Sequence, residues 1–532
     1  MTMRVTMLQT RLGDAGSYLT AGSTYTVTKA LGAVLVGSGF ATDIDGSLLA
    51  GVFKSIKAVT ASRSLDADDN GATLDVSDTV ALTVPAGLPA DFGCAIIPTG
   101  TITIVSGGGT LLNGATTTLS RTGSATALFQ FVARAGTANS YLVSDLTASG
   151  GGFSSLYLGP VATRAMIPNA KHPSNKQGMF RSIHFARDNI TALQVAYANW
   201  WYSAQTENLP GGSTNWRASI EYPVGSTPQR FLFGGSTTGT SADGETILSD
   251  LLTLTTAIPS GAQFALNVWQ DASAQIIYNT TSAYITGDRL AVGATTPDLT
   301  ATGGASFGGA SNGAMCHPVA ILAQTRKPTV ALLGDSTQLG AVNLVTTNFA
   351  GNGYGDQGMV ARAIGPALAY INLGSYGDRA QTFISSGSTR RKALVAYCSH
   401  IVCNFGINDV ISAARTSAQL IADLTTIAGY FPTLPFWQQT LTPCTTSSDS
   451  FATTVNQTVT ANEAQRVAFN LALRGGVTWA AGSIDTGAAL ESSWLSGVWQ
   501  VPTQTVDGTH PNVLAQIRVA SLGAINPALF TR

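Results

Sequence analysis

The chain has 532 residues, of which 11% are charged, with a formal net charge of -1 and 57 glycines. An ordinary soluble domain carries about 25% charged residues, so this surface draws on Thr, Ser, Asn and Gly, and no basic block exists to track a nucleic-acid backbone. Mean hydropathy is positive, yet no run reaches the ~18 apolar residues that a spanning helix needs. At roughly 100–200 residues per domain the length predicts several domains. Residues 1–20 hold no apolar core of the length a secretory signal requires. The five cysteines (Cys94, Cys316, Cys398, Cys403, Cys444) show neither CxxC nor metal-ligand spacing. They are expected to be buried small hydrophobes in a chain folded in a reducing cytoplasm. A glycine-rich, weakly charged surface on such a chain suits a particle released by lysis.

Four segments follow one another: 1–56, 57–147, 148–325 and 326–532. In the first, 4–8 and 24–28 read as strands and 29–39 as a short helix closed by glycine. Its run MRVTMLQTRLGDAGSYLTAGSTYTVTKALGAVLVGSGFA resembles a small domain of bacteriophage structural proteins, which implies attachment to a virion. The second alternates short apolar runs (81–84, 94–98, 101–105, 127–132) with turn signals such as Asp69-Asn70-Gly71 and Gly107-Gly108-Gly109, the pattern of an all-β module. Its wording, LTVPAGLPADFGCAIIPTGTITIVSGGGTLL, resembles a β domain of phage tail fibres.

After the glycine hinge Gly150-Gly151-Gly152, strand candidates at 192–202, 215–221, 229–233 and 263–269 predict a β-sandwich or jelly roll. Alternation puts Tyr197 and Trp201 on one face and Trp200 and Tyr202 on the other. Packing is favoured over a sugar-stacking platform for these rings. A sandwich in this place resembles the accessory domains of some carbohydrate esterases. In 326–532, strand-like runs (330–333, 400–405, 435–441, 477–480) alternate with helical patterns. The clearest is 462–474, with Val467, Leu471 and neighbouring alanines on one side. That alternation predicts an α/β domain, a parallel sheet flanked by helices.

Three motifs in the last segment carry chemistry. Gly334-Asp335-Ser336 follows an apolar strand, where open α/β sheets bind ligands and a helix N-terminus favours developing negative charge. Gly406-Ile407-Asn408-Asp409 offers a side-chain amide to an oxyanion. Asp507-Gly508-Thr509-His510-Pro511-Asn512 holds a carboxylate three residues before an imidazole, with Pro511 expected to open a helix over 511–522. Of the five histidines (His172, His184, His317, His400, His510), His510 alone has an acidic neighbour at this spacing. Asp335 and Asp409 are expected to bond loop backbone. No zinc or calcium spacing occurs.

Taken in order, these blocks resemble the SGNH/GDSL hydrolases across the whole of 326–532. The resemblance implies a nucleophile at Ser336, with Asp507 and His510 completing a triad. It implies an oxyanion hole made by Asn408, the Ser336 amide and the backbone of Gly377, with Gly374 as a less favoured alternative. Asp378 follows Gly377 as in the family. Thr337 stands where the family usually carries leucine or isoleucine, a change expected to alter packing and not chemistry. No cofactor and no metal are implied, and no lid or lipid-binding helix points to a lipase. With the phage-like N-terminus, the expectation is a serine esterase on a virion, in a tail fibre, tailspike or head decoration. Its expected task is removing O-acetyl groups from a host surface polysaccharide. It would bind other virion proteins through its first segment and form a homo-oligomer, a trimer by analogy with tail fibres, with no nucleic-acid partner and no membrane insertion. The rivals are an adhesin using this fold as a scaffold and a bacterial carbohydrate esterase.

Overall fold

The structure is a computed structural model describing residues 156–303, 307–310, 314–342, 351–385, 387–501 and 504–531, most of 56–108, and separate strands elsewhere in the first 145 residues. The chain divides into two compact units, Met1–Gly152 and Phe153–Phe530. The helix expected at 29–39 and the glycine hinge lie outside the described residues.

In the first unit, Thr2–Met7 pairs antiparallel with Thr24–Thr28 and Ala41–Asp43. From Ile56 onward, successive strands alternate between two sheets. Ile56–Val59, Thr73–Val76 and Gly93–Pro98 run parallel in one, while Arg63–Ser64, Val80–Val84 and Thr101–Ser106 run parallel in the other. The chain therefore coils, and alternate residues such as Leu74, Val76, Leu82, Val84, Ile96 and Ile104 fill its inside. The sequence reads as short strands but hides the coil, because the rungs differ in length: Ile56 pairs with Thr73, and Thr73 with Ala95. Antiparallel strands Thr118–Thr122 and Phe129–Ala133 then join the two sheets. Asp69 is fully buried at a turn, held by Arg63 at 2.7 and 2.8 Å and Lys57 at 3.0 Å.

The second unit begins with two antiparallel sheets. One carries Tyr157–Pro160, Ala320–Thr325, Ile190–Ala198 and Thr246–Leu248; the other is built on Gln177–Phe185, Gln263–Ala272 and Thr214–Glu221. Between them lie Leu193, Val195 and Tyr197 from the first sheet and Trp216, Ala218, Leu266 and Val268 from the second. Tyr197 stacks on Trp216 at 5.3 Å. The strand expected over 192–202 is two strands, Ile190–Ala198 and Trp201–Ser203, and the one expected over 229–233 is only Gln229–Arg230.

The α/β part has a parallel sheet of β1 (Thr329–Leu333), β2 (Ala369–Asn372), β3 (His400–Cys403), β4 (Phe436–Gln439) and β5 (Gly482–Ile484), in the order 2-1-3-4-5. An edge strand from the preceding β region, Ala165–Met166, adds in parallel to β2. The strand expected at 477–480 is displaced: Trp479 packs against Phe436, ring centroids 5.9 Å apart, and the pairing strand starts at Gly482. β1 is buried on both faces, as parallel strands covered by helices are. Ala331 and Leu333 point into one core, Val330 and Leu332 into another. The first of these cores also contains Ala196, Ala198, Trp200, Tyr202 and Leu322 from the β region, so the segments meeting near 325 share one interior.

The helix expected at 462–474 is Glu463–Arg474, and its buried side is Arg466, Phe469, Asn470 and Leu473; Leu471 is 46% exposed. The final helix starts at Val513, not at Pro511. Asn512 is its N-cap and accepts from the Ala515 N–H, which leaves Pro511 one residue outside.

Candidate active site

Ser336 sits just past the C-terminal end of β1, at the first position of the short helix Ser336–Leu339. Gly334 is required there. A Cβ on it would lie 1.6 Å from Asn404 Oδ1, and its φ is +155°. Asp335 caps the helix, accepting from the Thr337 N–H at 2.9 Å. An N1 residue has no intrahelical carbonyl for its own N–H, so the Ser336 amide points out of the helix end. The final loop brings His510 to it, with Nε2 2.7 Å from Ser336 Oγ.

Asp507 orders that loop. Its Oδ1 accepts the N–H groups of Thr509 at 2.9 Å and His510 at 2.8 Å, leaving Oδ2 for His510 Nδ1 at 2.9 Å. Burial opposes ionisation of this carboxyl, but the hydrogen bonds from the His510 ring and the two backbone groups outweigh it and hold Asp507 well below the usual carboxylate range. An ionised Asp507 can only accept, so Nδ1 carries the proton and Nε2 offers its lone pair to the Ser336 O–H. Ser336 is 5% exposed and His510 2%.

Asn408 lies in the helix Ile407–Ile411 that follows β3, and its Nδ2 donates to the Asp378 carbonyl at 3.2 Å. The two glycines proposed for the oxyanion loop separate cleanly. The Gly374 N–H is spent on Asn372 Oδ1 at 3.0 Å, whereas Gly377 turns the loop at φ +65° between Ser375 and Asp378. No hydrogen bond from the Gly377 N–H occurs among the described residues.

Asp378 is a structural carboxylate. It is fully buried and bonded by Tyr202, Arg391, Thr382 and the Arg379 N–H. Asp409 is also buried and accepts from the N–H groups of Ala380 and Gln381 at the start of the helix Ala380–Ser385; burial pushes its carboxyl up to about 6. Thr337 adds polar contacts to the packing change expected for it. Its hydroxyl donates to Asp335 Oδ1 at 2.7 Å and accepts from Asn404, whose amide also donates to Asp335 at 3.2 Å. Threonine here therefore joins a polar cluster beside Ser336. Asn404 was not singled out from the sequence; the polar residue at 337 was the available signal.

Two buried serine–histidine contacts in the β region, Ser182–His184 (2.7 Å) and Ser282–His317 (2.6 Å), have no carboxylate on the ring among the described residues, and a third contact, Ser399–His400 (2.8 Å), lies at the start of β3. Burial pushes the His184 ring down to about 3. All five cysteines are buried and unbridged. No cluster of three or more His, Cys, Asp or Glu able to hold a metal occurs among the described residues.

No family model matches the sequence, and no curated protein matches it. Solved structures that the chain resembles are GDSL-type esterases and lipases. A carbohydrate acetylesterase from Sinorhizobium meliloti is 15% identical over 37% of this chain and 97% of its own, with a TM-score of 0.27. A GDSL-like lipase from Bacteroides thetaiotaomicron is 13% identical over 36% of this chain and 84% of its own, with a TM-score of 0.25. At such scores the likeness bears no weight, and what the site does follows from its own side chains.

Proposed function

We propose that this chain is a serine esterase of the SGNH/GDSL kind, carried on a phage particle, that removes O-acetyl groups from a host surface polysaccharide. The observation that carries the reading is the unbroken relay Asp507–His510–Ser336, with hydrogen bonds of 2.9 and 2.7 Å. In the first step the Ser336 proton passes to His510 Nε2 as Oγ bonds to the ester carbonyl carbon. The carbonyl oxygen becomes an oxyanion, held by the second amide proton of Asn408 and the N–H groups of Gly377 and Ser336. Collapse breaks the bond to the alcohol oxygen, which takes the proton from His510. Water, deprotonated by His510, then releases the acyl group as an acid and restores Ser336. Asp507 keeps the imidazole oriented and balances its transient charge.

The polysaccharide substrate and the virion setting rest on the phage-like wording of the first 147 residues and on the weakly charged, Thr/Ser/Asn-rich surface. A serine nucleophile suits an acyl carbon, whereas glycosidic cleavage usually takes two flanking carboxylates. Several copies on one particle would strengthen binding that is weak per site. Purified wild type and Ser336→Ala are to be compared on an aryl acetate and on acetylated host polysaccharide, read by proton NMR for acetyl loss and gel filtration for chain length. Acetate release by wild type alone, with chain length kept, is expected. An inactive wild type that still binds the glycan would make the protein an adhesin, and shortened chains with acetyl groups retained would make it a depolymerase.

A further inference from the structure

The hairpin of Trp201–Ser203 and Thr206–Asn208 leaves the β-sandwich and ends on the oxyanion loop. Its strands pair Tyr202 with Glu207, so these two side chains share a face. Both reach the α/β part. Tyr202 donates its O–H to Asp378 Oδ1 at 2.7 Å, and Glu207 accepts the N–H groups of Arg390 (3.0 Å) and Arg391 (2.9 Å). The Arg391 guanidinium lies over the Tyr202 ring at 3.7 Å and reaches Asp378 Oδ2 at 2.6 Å. Tyr202, Asp378 and Arg391 are all buried.

At the tip, Ala204 and Gln205 both have positive φ, +49° and +62°, a conformation that residues other than glycine adopt at a cost and that tertiary contacts must hold in place. The strained turn delivers one side chain. Gln205 Nε2 donates to the Gly377 carbonyl at 2.8 Å, while its Oε1 accepts from Arg379 at 2.6 Å. Asp378, anchored by Tyr202, in turn presents its carbonyl to the Asn408 amide. Both of the oxyanion donors outside the nucleophile's own helix are thus tied to the sandwich, Gly377 through Gln205 and Asn408 through Tyr202 and Asp378.

We propose that the hairpin 201–208 is a positioning element of the active site, with Gln205 and Tyr202 setting where the Gly377 and Asn408 donors stand. The inference rests on the esterase reading. Oxyanion stabilisation depends on donors already in place before charge develops, and a displacement of about 1 Å can cost on the order of 10²-fold in rate. The sandwich then contributes to turnover itself, through groups that need never touch the substrate.

The test uses the full chain with Tyr202→Phe, which keeps the ring under Arg391 and removes one O–H, and Gln205→Ala. Hydrolysis of 4-nitrophenyl acetate is measured beside hydrogen exchange of the peptide spanning 374–380 and thermal melting. Each variant should lose about tenfold or more in kcat with KM within twofold. Exchange at 374–380 should accelerate while the melting temperature stays within a few degrees. Gln205→Glu keeps the acceptor for Arg379 but cannot donate to Gly377, so it should behave as Gln205→Ala does. Variants with kcat within twofold of wild type and unchanged exchange overturn the proposal and leave the esterase standing. So does a rise in KM alone, which would make the hairpin a substrate-binding surface, or a loss of kcat matched by a loss of folding. A wild type no more active than Ser336→Ala overturns the esterase reading, and this inference with it.

Discussion

Asn408 has two amide protons and gives one to the Asp378 carbonyl. The bond fixes the plane of the amide, so on the proposed esterase reading the second proton has a defined direction before charge develops. Asn408→Ala should therefore lower kcat on an aryl acetate by about 10²–10³ with little change in KM, the loss expected for one oxyanion donor. His510→Ala should lose more, because the proton then has no acceptor. A smaller loss for His510→Ala than for Asn408→Ala would overturn His510 as the acceptor of the Ser336 proton. Local spacing made the Asp507–His510 pair legible in the sequence, being three residues apart, whereas the 174-residue separation of Ser336 and His510 is closed only by the fold. Gly377 was preferred to Gly374 through the family resemblance alone. What decides between them is whether the N–H is already spent, and Asn372, which takes the Gly374 N–H, gives no sign of this in the sequence. Asn404 was signalled only by the polar residue at 337, since its partners Asp335 and Thr337 lie on another strand's loop.

The helix Glu463–Arg474 shows where pattern reading fails one level up. Hydrophobicity favours Val467 and Leu471 for its packed side, yet Arg466 is fully buried and Leu471 stays exposed. The cause is charge pairing across elements. Arg466 reaches Glu463 at 2.6 Å, the Leu441 carbonyl at 2.9 Å, and Glu491, which lies beyond the next strand and is itself buried. Burial disfavours the charge on Arg466, but the two carboxylates more than offset it. Removing the arginine leaves Glu491 buried without a cation, so Arg466→Met should destabilise the second unit by about 3–5 kcal/mol. Glu491→Gln should cost less, because Arg466 keeps Glu463 and the Leu441 carbonyl. Urea unfolding of the two variants checks the order, and equal losses would mean that the pair acts only through packing. β5 illustrates a related limit. An apolar run ending in Trp479-Ala480 reads as a strand, but its indole packs against Phe436, and the ladder forms two residues later.

For the whole molecule, the boundary that composition suggests near 325 is a change of architecture inside one packed body. Trp200, Tyr202, Ala320 and Leu322 share a core with Ala331, Leu333, Ile371 and Phe405, and Ala165–Met166 supplies an edge strand to the parallel sheet beside β2. Sequence reading missed this because alternation reports which face of a strand is buried and not what buries it. Two truncations should therefore behave differently. A chain starting at Phe153 keeps every one of these contacts, since the second compact unit begins there, and it should fold and hydrolyse an aryl acetate at the full-length rate. A chain starting at Arg326 uncovers the apolar side of β2 and β1, strips the edge of β2, and loses the groups that hold Asp378 and Gly377. An uncovered apolar patch of this kind together with an open sheet edge invites association, so this chain should be aggregated or inactive. Circular dichroism, gel filtration and aryl acetate turnover on both truncated chains distinguish the outcomes. A soluble, fully active 326–532 would mean that the sandwich is a detachable module after all, and that the shared core contributes little to either fold or turnover.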